Sequence, residues 1–496
     1  MPSAESAARG RALLRSRIEA VPALLERLPE RQPALLDARL PLPRAIVTTG
    51  IGTSEGHARH LAELASRGFG WPSRFASAGS LERGAPPGAE RDWLVVFSQG
   101  LSPNARTALT HVEAWGAVVL VTGLAPGMSE EEGLTPEKRD WLLALEAAGC
   151  LRVDLGCGAE YGALLRVMGA RAGYPIVWSL LRTLAERLLE PASSLSIAAE
   201  RLTAAQLGAH RAAARVFATD QPIAPFFDTD RDLVLVSQGG THEWVDQLSL
   251  KIAEGMLRPR PPSIDVLQFA HGPLQTLTER PASILYLASA EDPPEAHRWR
   301  ARFAATLDPA LHDLRIVEAE LPWPFAAVEL EAIFDELVLR VLDETDRDLV
   351  DWPGGAREAA LYDAGPQAAS LDPAVARSEV LDYEECVWPE LEGAIRSGQR
   401  TAIVALGSIE QHGPHLPLGT DRWIADALAR GLAARRPEAI AVPAIPIGCA
   451  SEHLDFAGTL HVAPETLEAL LGDLLDSLAH HGFERAFVFT AHGGNV

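Results

Sequence analysis

Within fifteen positions, GSIEQHGPHLPLGTD (407–421), the chain sets Glu410, His412, His415 and Asp421 among turn formers and small or apolar residues. Glu410 and His412 stand two apart at the end of a predicted strand (TAIVALG, 401–407), so in extended backbone their side chains point the same way. Asp421 returns after the Pro- and Gly-rich loop. His492, 71 positions further on in FVFTAHGGN, lies at the end of another predicted strand. Sites in open α/β sheets gather at the carboxyl ends of strands, so these residues are expected to converge. Mixed imidazole and carboxylate ligands suit Zn²⁺, Mn²⁺ or Fe²⁺, with a shared carboxylate able to bridge two ions. The plainer alternative has the carboxylates capping turns and His412 and His415 bonding to backbone. The density of the cluster argues for the metal.

A second set of chemistry-bearing residues lies near the N-terminus. TTGIGTSEGHA (48–58) follows a predicted strand and opens a helix, and SQGLSPNA (98–105) repeats the device at the next strand. Glycines permit the tight turn, and the helix start offers free N–H groups to an anion. Thr53, Ser54, Ser98, Gln99 and Ser102 add hydroxyl and amide donors. Either loop alone reads more readily as ordinary helix capping; two at consecutive strand ends favour ligand binding. Further on, QLSLKIAEGML (247–257) puts Lys251 and Glu254 at i, i+3 on one helix face, a spacing that by itself suggests a surface ion pair.

The elements that must position these groups repeat as short apolar strand, glycine-bearing turn and amphipathic helix. Strands are predicted at 44–50, 93–100, 117–123, 232–240, 282–289, 401–407, 439–448 and 485–494, with helical periodicity at 57–66, 104–115 and 244–257. Strands alternating with helices imply parallel sheets in layered α/β domains. Ser-Gln-Gly at two strand ends, 98 and 237, suggests two copies of one unit, near 40–190 and 195–343. A helical segment at 1–39 precedes them. An acidic stretch rich in Ala, Gly and Pro, 344–376, reads as a linker, and a third α/β unit spans 377–496.

At 496 residues, with 47% hydrophobic and 22% charged residues, the chain is an ordinary globular one with ample core. A net charge of −23 argues against a nucleic-acid surface. No apolar run reaches the 18 or so residues of a membrane helix, and the N-terminus lacks a signal-peptide core. Four scattered cysteines without a CxxC pair point to reduced thiols, and the expected location is cytoplasmic.

The loops GIGTS (50–54) and SQGLSP (98–103), the Leu-Lys-x-x-Glu frame at 250–254 and FAHGPL (269–274) resemble the sugar isomerase (SIS) family, as in the isomerase half of glucosamine-6-phosphate synthase. The resemblance implies a tandem pair binding a sugar phosphate or amino-sugar phosphate through Thr53, Ser54, Ser98, Gln99 and Ser102. It makes Glu254 the carboxylate that shuttles a proton between sugar carbons, assisted by Lys251, with His271 promoting ring opening, in some relatives from a neighbouring subunit. A homo-oligomer is therefore expected. SQGLSP has one serine fewer than the family's loop. The chain opens MPSAES, without the cysteine of a glutaminase half, so glutamine-driven synthesis is not expected.

GSIEQHGPHLPLGTD, SEHLDFAGTL (451–460) and HGGN (492–495) resemble successive signatures of the creatininase family of amide hydrolases. That resemblance makes Glu410, His412, Asp421 and His492 ligands of divalent metal, two ions in a complete domain, acting on a small amide or lactam. It places Glu452 and His453 near the substrate. This chain departs at Ala457, within the family's FPGT, and at Gly494, where creatinine-hydrolysing members carry Glu. The stretch after 377 is short of a full family domain, so a truncated piece of a longer polypeptide is expected. Two readings of the whole follow. One is a bifunctional enzyme, joining isomerase or deaminase chemistry to a metal-dependent amidohydrolase. The other is a sugar-phosphate sensor regulating the hydrolase.

Overall fold

The computed structural model describes residues 4–28, 40, 42–82, 84–187, 195, 197–218, 220–238, 242–355, 357, 383–384 and 386–495. Most of the expected linker lies outside the described residues. The chain divides into two compact units, Met1–Pro373 and Ala374–Val496.

The first unit holds two all-parallel sheets. Strands β1 (Ile46–Gly50), β2 (Ser73–Phe75), β3 (Trp93–Phe97), β4 (Ala117–Thr122) and β5 (Leu151–Asp154) lie in the order β2-β1-β3-β4-β5. Strands β6 (Asp232–Ser237), β7 (Ser263–Asp265), β8 (Ala282–Ser289) and β9 (His312–Ala319) lie in the order β7-β6-β8-β9. β1, β3, β4 and β8 are buried along their whole length, as parallel strands covered on both faces require. In both sheets the chain starts centrally, steps to one side and returns to the other, which leaves a crevice at the switch between β1 and β3 and between β6 and β8. The two Ser-Gln-Gly echoes therefore follow strands that are not equivalent: β3 is the third strand of its sheet and β6 the first of its own.

Between the sheets runs a helical core. Helix Ala4–Arg27 contributes Leu14, Val21, Leu24 and Leu25 to the same apolar cluster as Tyr174, Ile176 and Leu180 of helix Met168–Arg187 and Ile333, Phe334 and Leu337 of helix Ala326–Asp343. Two expectations change. The helix expected at 104–115 is broken into Pro103–Arg106 and two short 3₁₀ turns; the Thr110 hydroxyl donates to the Thr107 carbonyl at 3.0 Å, one of the local side-chain bonds that compete with a helix. The strand expected at 439–448 is regular only over Ala439–Ala441, because Pro443 and Pro446 supply no N–H to a ladder.

The second unit repeats the switch pattern in three parallel strands, β10 (Thr401–Leu406), β11 (Ala439–Ala441) and β12 (Arg485–Thr490), ordered β11-β10-β12. Among the described residues no helix is long and apolar enough to cross a membrane.

Candidate functional site

In the second unit the switch between β10 and β12 carries the acid and histidine cluster. Gly407 ends the first strand where a Cβ would lie 2.5 Å from the Arg422 Cα, so only glycine lets the strand pass beneath helix Thr420–Ala433. The loop beyond is pinned at both ends: the Leu460 amide donates to the Ile409 carbonyl at 2.9 Å and the Glu410 amide to the Leu418 carbonyl at 3.0 Å. Asp421 enters from the first turn of that helix and His492 from the end of β12.

Glu410, Asp421 and His492 are buried, and one ligand atom from each lies within 4.8 Å of the others. His492 Nδ1 stands 3.0 Å from Asp421 Oδ2 and 3.2 Å from Glu410 Oε1. His412 Nε2 stands 2.9 Å from Asp421 Oδ1 and 4.0 Å from Glu410 Oε1. Ligands about 2.1 Å from a tetrahedral ion are about 3.4 Å apart, so the spacing matches. The second ring nitrogens strengthen the fit. His412 Nδ1 lies 3.1 Å from the Glu410 carbonyl and His492 Nε2 2.9 Å from the Cys449 carbonyl. A carbonyl only accepts, so each of those nitrogens carries hydrogen. A neutral ring then turns its lone pair toward a carboxylate oxygen, an arrangement that needs a cation between them or a charged imidazolium. Carbonyl-oriented imidazoles are the usual outer-shell arrangement of metal-binding histidines. Glu410 Oε2 is buried without a hydrogen-bond partner. Two carboxylates balance a divalent charge, and the donor set fits such an ion. Burial raises the Glu410 carboxyl pKa, Asp421 adds to the rise and His492 opposes it.

Glu452 and His453 lie beside this cluster on a 3₁₀ turn, Ser451–His453. Gln411 Nε2 lies 3.1 Å from His453 Nδ1, and Glu452 is exposed. Position 494 has no room for a side chain: a Cβ would lie 2.0 Å from the Cys449 carbonyl oxygen. Asn495 was not among the expected site residues, yet its side chain accepts from the Cys449 amide at 2.8 Å and donates to the Gly407 carbonyl at 3.1 Å. It ties together the two loops that hold Glu410 and His492.

In the first unit Thr53, Ser54, Ser98 and Gln99 line one narrow cleft at the β1/β3 switch, with His57 and Gly169. Ser102 stands just beyond, its amide donating to Ser98 Oγ at 3.3 Å. Buried His57 lies 2.9 Å from the Ala170 carbonyl through Nε2, and burial lowers its pKa to about 4, so it is neutral near pH 7. Gln99 is oriented from behind: its amide donates to Glu160 Oε2 at 2.7 Å and to the Gly158 carbonyl at 3.0 Å. Glu160 also accepts from the amides of Val167, Met168 and Gly169, which cap helix Met168–Arg187. The signal for Glu160 was present in the glycine-rich turn GCGAEYG after β5.

Lys251 and Glu254 part company on helix His242–Met256. Lys251 is 2% exposed and bonds to Glu331 and, at 2.5 Å, to Asp335, which Arg171 also holds at 2.7 Å. Glu254 is half-buried a turn away, and His271 is exposed at the start of a turn before helix Pro273–Leu277.

Residues 384–496 match the family model described as Creatininase: Creatinine amidohydrolase. Over 103 residues, 19% of this chain and 41% of the relative, the sequence is 44% identical to a mycofactocin precursor peptide peptidase of Mycobacterium tuberculosis (strain CDC 1551 / Oshkosh). Over 116 residues, 22% of this chain and 44% of the relative, it is 28% identical to creatinine amidohydrolase of Pseudomonas putida. The chain thus spans less than half the length of these relatives. The C-terminal domain of glucosamine-fructose-6-phosphate aminotransferase from Francisella tularensis aligns with a TM-score of 0.53 at 12% identity, over 68% of this chain and 98% of that one, a likeness of fold alone. The chain therefore joins an SIS-type fold, over roughly its first two thirds, to a C-terminal stretch that carries a creatininase-family match.

Proposed function

We propose that the second unit is the metal-binding part of an amidohydrolase that cleaves the C–N bond of a small amide, lactam or peptide. The observation that carries this reading is the approach of Glu410, Asp421 and His492, with His412 on the far side of Asp421. A divalent ion held there supplies Lewis acidity toward an amide carbonyl and a water nucleophile at neutral pH. The chain's own groups do the rest. Glu410 and Asp421 balance the charge, and the carbonyls of Glu410 and Cys449 fix the two rings. Exposed Glu452, beside the cluster, would take up and return a proton. The names of the relatives, a peptide peptidase and a creatinine amidohydrolase, bracket the substrate as a peptide bond or a cyclic amide.

The test is metal analysis of the full chain after chelation and reloading with Zn²⁺, Mn²⁺ or Fe²⁺, followed by assay on creatinine and short peptides. Metal retained by wild type and lost by Asp421→Asn supports the reading; no difference between them overturns it.

For the first unit we propose sugar-phosphate binding in the cleft lined by Thr53, Ser54, Ser98 and Gln99. Isomerase or deaminase chemistry would use Glu254, with His271. A sensory role gains support from Lys251, whose ammonium group is enclosed by Glu331 and Asp335 and already committed to them. Binding of fructose 6-phosphate with interconversion of sugar isomers selects the enzyme; binding without turnover selects the sensor.

A further inference from the structure

We propose that Arg166, Lys138 and the Tyr161 hydroxyl form an anion subsite over the Ser98–Ser102 loop, and that its ligand is a phosphate group. The proposal rests on the sugar-phosphate reading of the adjoining cleft and assigns its charged half.

The loop is shaped for close approach. A Cβ on Gly100 would fall 3.3 Å from Arg166 Nη1 and 3.2 Å from the Tyr161 hydroxyl oxygen, so the guanidinium and phenol lie directly over bare backbone. Leu101, fully buried, adopts a φ of 47°, a left-handed conformation that costs a branched side chain energy and is kept only where the surroundings enforce it. Gly100 directly follows Ser98 and Gln99, both of which line the cleft.

The charges are the second observation. Lys138 donates to the Tyr161 hydroxyl and stands 4.7 Å from the ring centroid, while the Arg166 guanidinium carbon stands 5.7 Å from that centroid. Among the described residues neither cation has a carboxylate within salt-bridge distance. Three acids near them in sequence are turned elsewhere: Glu137 to Arg106, Glu132 to Ser129, and Glu160 to Gln99, Arg17 and the helix amides. In a chain with 67 acidic and 44 basic residues, two cations set against one tyrosine and outside any ion pair among the described residues call for an explanation. A phosphate that reaches both gains a charge-assisted hydrogen bond from each. Having accepted from Lys138, the Tyr161 hydroxyl retains its hydrogen to donate to a phosphate oxygen.

Calorimetric titration of the full chain with inorganic phosphate and, separately, with fructose 6-phosphate tests this, using wild type, Arg166→Ala, Arg166→Lys and Lys138→Ala. Circular dichroism confirms that each variant folds. Arg166→Ala and Lys138→Ala should each weaken both ligands about ten- to hundredfold, the effect of losing one hydrogen bond to a charged group. Arg166→Lys should restore part of the loss. Binding of fructose 6-phosphate that is unchanged in both alanine variants overturns the subsite and leaves the cleft reading standing. Arg166-dependent binding of phosphate alone upholds the subsite and defeats the sugar-phosphate reading. No binding of either probe to wild type overturns both.

Discussion

His492 and Asp421 face each other across 3.0 Å, Nδ1 to Oδ2, while the other ring nitrogen of His492 is already committed to the Cys449 carbonyl. His412 meets the other oxygen of the same carboxylate in the same way. One carboxylate thus stands between two imidazole nitrogens, an arrangement that either a cation between them or a charged imidazolium satisfies. Metal should therefore stabilise the fold. Chelation should lower the unfolding temperature, and Zn²⁺ at about a hundred times its Kd should add about 2.7 kcal/mol. Asp421→Asn should melt at the same temperature with and without chelator. A chelator response that survives in this variant places the metal elsewhere.

Asn495 is the joint between the loops that carry Glu410 and His492. Asn495→Ala removes bonds to the Cys449 amide and the Gly407 carbonyl without touching a ligand. Loss of such outer partners commonly weakens metal binding about 10–100-fold. Competition with a chromophoric chelator measures it. Asn495→Asp keeps the acceptor for the Cys449 amide but loses the donor to Gly407, so its affinity should fall between wild type and Asn495→Ala. Equal affinity in all three would show that the joint is dispensable.

Much of this was legible in the sequence because the two devices involved are local. Strand-end glycines with Thr, Ser, Glu or His close by mark the switch-point loops, and those loops are where Thr53, Ser98, Glu410 and His492 sit. What sequence could not supply is long-range pairing. Glu331 and Asp335 lie on an apolar helix where nothing local marks them as partners of Lys251, 80 and 84 positions away. Spacing put Lys251 and Glu254 on one face as a surface pair; packing of helix His242–Met256 turned Lys251 inward. Arg166 and Lys138 likewise meet only through Tyr161.

Acid should weaken the first unit through His57 and His60. Burial lowers their pKa values to about 4 and about 3. An unfolded histidine titrates near 6.5, so between about 6.5 and 4 the unfolded chain binds protons that the folded chain refuses. Stability is complete above that window and falls by about 1.4 kcal/mol per pH unit per histidine within it. Urea midpoints at pH 7.5, 6 and 5, followed by tryptophan fluorescence, read the slope; Trp178 donates to His60 at 3.2 Å and reports on that site. His57→Gln should flatten the slope by one histidine's share. An unaltered slope would mean that His57 does not carry it.

Glu254→Gln separates catalysis from sensing. If the first unit turns over sugar phosphates, loss of this base should slow it about 10²–10⁴-fold. Binding of fructose 6-phosphate should remain within about twofold, since charge and shape in the cleft around Ser98 and Gln99 are unchanged. Measured turnover that is indifferent to the change removes Glu254 from the chemistry.

Lys251→Met tests whether that lysine is a structural counter-ion. Its ammonium is enclosed by Glu331 and Asp335, both fully buried, and Arg171 remains only on Asp335. Removing one partner of a buried ion pair typically costs about 3–5 kcal/mol, because a carboxylate is left uncompensated. Burial already raises the Glu331 pKa, and losing Lys251 raises it further, so the deficit should shrink as pH falls and Glu331 takes up a proton. The double variant Lys251→Met/Glu331→Gln removes both charges and should recover most of the lost stability, which a double-mutant cycle in urea quantifies. Recovery of stability together with any sugar-phosphate turnover would assign Lys251 to the fold. Recovery of stability with turnover abolished would return it to the chemistry. A Lys251→Met cost below about 1 kcal/mol would mean that Glu331 is already neutral in the wild-type protein.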